Sequence, residues 1–169
     1  IDELASANTA QNFIISPLTT ADFFLSESLN KLTNPISITI NELLGLDQNF
    51  NVNTVDHMAS LNDGFMYAEA YERANQLTSL SLSFTRLVNN LSTSNINSSE
   101  IFQVILDRMV AIYQSSQNEV SIESPAFIEA LVDDVDLKFS LSLENEIKTK
   151  VKNMYKAFTP LIQVKPNLA

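Results

Sequence analysis

The sequence of 169 residues contains no cysteine and no tryptophan, one histidine and two glycines. Without cysteine there is no thiol nucleophile, no thiolate-built metal centre and no disulfide-stapled scaffold. Gly45 and Gly64 stand alone, so no glycine-rich loop cradles a phosphate and no G-x-S-x-G elbow holds a serine exposed and strained. Purely apolar runs are short, Phe13-Ile14-Ile15 being typical, and none spans a bilayer. Cations are scarce as well. Ten Lys and Arg against 20 Asp and Glu leave a net charge of −10, which disfavours nucleic acid and an anionic membrane surface as partners.

What is present is enough to fold. Hydrophobic residues make up 45 % of the chain and charged ones 18 %, a balance that separates it from disordered sequences. The length suits one domain with a single core. The chain begins at Ile1 and reads as a mature product or as a module of a longer protein.

Start and stop signals divide it into helices. Ser16-Pro17 reads as an N-cap and first helical position, because the missing proline N–H costs nothing there. Leu18, Phe23, Phe24, Leu25, Leu29 and Leu32 form the apolar stripe that follows. Asn34-Pro35 repeats the cap signal, with Gly45 closing a short helix. The alternating stretch Ile36-Ser37-Ile38-Thr39-Ile40 also suits a strand, and the flanking caps favour helix. A short helix is expected over 54–62 and a turn at Asp63-Gly64. One long helix follows from Phe65 to Leu91, then a loop over 92–98. Ser99 and Ser124 are read as caps of two further helices. The second carries Phe127, Leu131, Val135, Phe139, Leu143, Ile147, Val151, Met154 and Phe158 in one stripe to 158. Lys148, Lys150, Lys152 and Lys156 crowd its end, where cations suit the helix dipole.

Two segments, Leu80-Ser81-Leu82-Ser83-Phe84 and 137–143, fit helical spacing and also alternate strictly. They read as helix with serines outward, or as helix able to convert to β-structure.

Few residues carry chemistry. His57 follows Asp56 directly, and adjacent helical residues do not face each other, so it reads as a helix-face histidine. Asp133, Asp134 and Asp136 lack the glycine and closing glutamate of a calcium loop and read as a solvated acidic face. Glu123 and Glu129 lie near a helix N-terminus, where negative charge is stabilised. Phe13, Phe23, Phe24, Phe65, Tyr67 and Tyr71 suit either a filled core or an apolar ligand cavity. Asn90-Leu91-Ser92 and Asn97-Ser98-Ser99 are N-glycosylation triplets.

Two stretches resemble known families. Leu4-Ala5-Ser6-Ala7-Asn8, Asn12-Phe13-Ile14-Ile15-Ser16-Pro17-Leu18 and Leu43-Leu44-Gly45-Leu46 resemble the opening helices of serpins, over residues 1–47. That resemblance implies a large β-sheet and a C-terminal reactive loop, and nothing after Asp47 reads as either. Leu43-Leu44-Gly45-Leu46-Asp47-Gln48-Asn49, Met66-Tyr67-Ala68-Glu69-Ala70-Tyr71 and Ser94-Asn95-Ile96-Asn97 occur in the order seen in helical repeats of spider wrapping (aciniform) silk. This resemblance implies a soluble helical bundle, repeated in tandem, stored concentrated and drawn into fibre. The chain departs from such repeats in being poorer in glycine and more acidic.

The expectation is an all-α, compact bundle of about five to seven helices in a single domain over 1–158, with a proline-containing tail over 159–169. No catalytic, cofactor-binding or metal-ligating residue is nominated. The expected function is a non-catalytic, self-associating structural module of a secreted, extracellular silk-like protein. Its partners are copies of itself, with no nucleic acid and no membrane. The alternative is a secreted helical carrier of a small apolar ligand.

Overall fold

The computed structural model describes residues 15–34, 36–56, 64–92 and 95–162, with side chains described as far as Tyr155 in the last helix. Among the described residues there are six helices: α1 (Pro17–Asn30), α2 (Ile40–Leu44), α3 (Phe65–Leu91), α4 (Ser98–Ser116), α5 (Pro125–Phe139) and α6 (Asn145–Ile162). No strand occurs among the described residues, so the fold is an all-α bundle.

Caps set the boundaries. At the start of α1, Thr19 N–H donates to Ser16 Oγ (3.2 Å) and Ser16 N–H to Thr19 Oγ1 (2.8 Å), with Pro17 as first helical residue. Helix α2 begins later than expected. Its cap is Thr39, whose N–H donates to Glu42 Oε2 (2.8 Å), while Asn34 lies outside the helix and Pro35 outside the described residues. Residues 36–39 are not helical, yet their burial alternates: Ile38 and Ile40 point inward, Ser37 and Thr39 outward. The period-two pattern describes a segment laid along the core without a sheet partner.

Gly45 ends α2 in the left-handed region (φ 69°), where the absent Cβ removes the usual penalty. A Cβ there would also sit 2.0 Å from Glu119 Oε2. The expected helix over 54–62 is not seen in its described part, where 52–54 form a turn, and the remainder with Asp63 lies outside the described residues.

Helix α3 matches the expectation at both ends and spans about 40 Å. Ala70, Ala74, Leu77, Leu80, Phe84 and Val88 are its buried stripe, so the alternating 80–84 segment is helix. Asn89 fastens the following loop: its Nδ2 donates to Ile96 O (2.8 Å) and its Oδ1 accepts from Ile96 N–H (2.7 Å). The cap of α4 is Asn97, paired with Glu100, not Ser99. Ser124 caps α5 as expected, accepting from Phe127 N–H at 3.1 Å.

Helix α4 is the centre of the bundle. It packs against α1, α3 and α5, and Ile101, Ile105, Leu106 and Met109 are fully buried. Loops add to the core as well: Phe50 and Val52 come from the asparagine-rich segment, and Val120 and Ile122 from the α4–α5 connection. Val120 N–H donates to Leu43 O (3.0 Å), which ties that connection to α2.

The single helix expected over 125–158 is broken. The chain leaves α5 at Ser140 (φ 51°), passes Ser142 (φ 54°) and re-enters helix at Asn145. Leu141 N–H closes the α5 end on Asp136 O (3.1 Å). A non-glycine residue in the left-handed region costs roughly 1–2 kcal/mol, so the turn carries local strain at both serines. Helix α6 then continues to Ile162, past Pro160 and the expected start of the tail.

Candidate functional site

Among the described residues, the densest assembly of charged side chains is the seam where α6 lies on α5. On α5, Asp133 and Asp136 are three residues apart and share one face, while Asp134 turns toward α4. Asp134 makes a two-pronged pair with the Nε and Nη2 of Arg108 on α4. Asp136 Oδ2 lies 2.6 Å from Lys148 Nζ on α6, and its Oδ1 accepts from Leu143 N–H at 2.9 Å. Asp133 receives Lys152 at 2.9 Å and Lys148 at 3.7 Å. The trio expected to be a solvated acidic face provides interhelical anchors, with Asp133 still half exposed and Asp134 and Asp136 largely covered.

The lysines are displaced from expectation too. Lys148, Lys150 and Lys152 lie in the first half of α6, and its last turn holds no basic residue. They act on the carboxylates of α5 and on Glu146, which Lys150 meets at 2.5 Å, and not on the helix dipole.

Electrostatics follow from these contacts. Burial pushes the Asp136 carboxyl up, but Leu143 N–H and the Lys148 ammonium outweigh it and leave the group below the usual carboxylate range. Its stabilising contribution is therefore present above the unfolded pKa and is lost as pH falls through the folded value. Lys148 is raised, chiefly by its hydrogen bond to Asp136, and its contribution is lost only at alkaline pH. The hydrogen bond that Arg108 donates to Asp134 likewise raises the guanidinium.

Further along α6, Tyr155 stacks on Phe84 of α3, with ring centroids 4.5 Å apart and planes at 18°. Burial pushes its phenol up to about 12.

Two other polar clusters serve packing. Ser28, Gln103 and Asp107 join α1 to α4, with Ser28 Oγ donating to Asp107 Oδ1 at 2.6 Å and Gln103 Nε2 to Ser28 Oγ at 2.6 Å. Arg73 lies 3.5 Å from Glu123, and burial together with neighbouring carboxylates raises Glu69 beside it, Arg73 opposing them. Among the described residues no group of three or more His, Asp or Glu is placed to hold a metal ion. Nor is any helix there long and apolar enough to cross a membrane.

Among the described residues the aromatic side chains do not converge on one cavity. Phe23 is 61 % exposed, Phe24 meets Phe102 (5.9 Å), and Tyr67 meets Phe50 (6.1 Å) at another place in the bundle. Phe65 is 68 % exposed. Phe13 and His57 lie outside the described residues. Asn90 is exposed in the last turn of α3, and Asn97 is exposed as the cap of α4.

The seam joins regions of opposite charge. Residues 1–139 carry 18 acidic and 5 basic side chains, a net of −13, whereas 140–169 carry 5 lysines and 2 glutamates, a net of +3. No family model, no curated protein and no solved structure matches the chain.

Proposed function

We propose that the chain is a non-catalytic structural module of a secreted fibrous, silk-like protein, a soluble acidic helical bundle that associates with copies of itself. The observation that carries this reading is the segregation of charge, an acidic body of −13 and a basic arm of +3 in one chain. A net charge of −10 keeps separate copies apart by mutual repulsion while the body of one attracts the arm of another. The filled centre around α4 supports the same reading over that of a ligand carrier, because the described aromatic residues suited to line a cavity are spread over separate places.

The test is assembly. Concentrated protein is sheared or partly dehydrated at neutral pH and again nearer the isoelectric point of 4.4, with circular dichroism and light scattering recorded together. The expected result is assembly with some exchange of helical for β signal, easier at the lower pH as carboxylates neutralise. Retained helix without assembly under both conditions overturns the reading. A stoichiometric apolar ligand in native mass spectrometry of protein from its source turns it toward the carrier.

A further inference from the structure

The chain from Phe127 to Met154 places an apolar residue at every third or fourth position, with no glycine or proline between them. That is the pattern of one unbroken helix. The folded chain instead doubles back over 140–144, through two serines in the left-handed conformation that glycine favours. Beyond the turn, α6 has α5 as its main contact, and it reaches α3 through Tyr155 on Phe84. The anchors across the seam, Asp136–Lys148 and Asp133–Lys152, join the acidic body to the basic arm. Each joins groups on opposite sides of the turn, so a second copy offers the same partners in the same geometry.

We infer that α6 is exchanged between two copies of this chain. Residues 140–144 straighten, α5 and α6 merge into one helix of about 57 Å, and each α6 docks on the α5 face and Phe84 of the other molecule. The strained short turn that invites such an exchange is relieved, and the ion pairs are re-formed between molecules. The occupant of the α5 face is thus a second copy, chosen by charge: a +3 arm meets a −13 body. This names the route of the self-association proposed above and rests on that reading.

The experiment uses the full chain, with mass measured by size-exclusion chromatography and light scattering over a concentration series. S140G/S142G relieves the closed turn and disfavours the straight helix, whereas S140A/S142A does the reverse. The expected result is weaker dimerisation for the glycine pair, by about a hundredfold in dissociation constant per substituted position because each occurs twice in the dimer, and tighter dimerisation for the alanine pair. A second arm mixes D133K/D136K with K148E/K152E. Each alone sets like charges across its own seam, while exchange in the mixture sets opposite charges across both seams, so a heterodimer is expected only on mixing.

A dimer indifferent to the serine substitutions, or a mixture that stays monomeric while both variants keep their helical signal, overturns the exchange. Should a charge variant fail to fold, the serine pairs decide. Association that ignores the turn removes the exchange but leaves the module reading standing. Absence of association by any route removes both.

Discussion

Helices α4 and α6 have nearly the same length, 19 and 18 residues, and opposite standing in the molecule. The first has neighbours on three sides and buries seven side chains, from Ile101 to Val110. The second rests on one main neighbour, buries Val151 and Tyr155 among its described side chains, and holds on through lysines. Both begin with a turn containing glutamate and carry a periodic stripe. The difference lies in how much of the circumference is apolar, which decides whether a helix becomes a centre or an appendage. Packing fixes α4, whereas polar contacts, weaker singly and sensitive to conditions, place α6.

Truncating a fully buried side chain of α4 gives the sharpest contrast. Ile105→Ala is expected to lower unfolding stability by about 2–5 kcal/mol, measured by urea or thermal denaturation. The matching Val151→Ala change in α6 costs less and leaves the cooperative transition of the remaining bundle in place. Equal losses at the two sites would erase the distinction.

Base is the next lever. Tyr155 keeps its proton up to about 12 in the folded state, against an ordinary value of 10.0. Its contribution to docking is complete below pH 10 and is lost as pH rises toward 12. An alkaline titration followed by near-ultraviolet circular dichroism should show α6 leaving before the bundle melts. Tyr155→Phe removes the part of that loss due to the phenol, and what remains reflects Lys148. A profile unchanged by the substitution would detach Tyr155 from the docking.

Lys152→Ala is expected to have the smallest effect, about 0–1 kcal/mol, because its partner Asp133 is half exposed and salt screens the pair. Denaturation with and without added salt checks it. A larger loss would mean that the seam acts as a cooperative network.

Much of this contrast could be read in the sequence, and the unread part has physical causes. Ser16-Pro17 and Ser124-Pro125 located two helix starts because serine and proline each satisfy a specific need of the first turn. The amphipathic run of α3 located both its ends. The break after Phe139 was invisible. Phe139, Leu143 and Ile147 keep helical spacing across it, and serine occupies the left-handed positions where glycine would have given warning. The acidic trio was misread because its partners, Arg108, Lys148 and Lys152, lie on other helices, outside any local spacing rule. Phe50, Val52, Val120 and Ile122 went unnoticed as core residues because they come from connecting segments, where no periodicity marks them.

The stacked ring at the end of the arm has one more consequence. With no tryptophan in the chain, aromatic absorption and emission come from four tyrosines and ten phenylalanines. Of the tyrosines, Tyr155 is the buried one, while Tyr67, Tyr71 and Tyr113 are partly open to water. The molecule therefore carries a built-in optical gauge on its most weakly held element, readable without any dye or label.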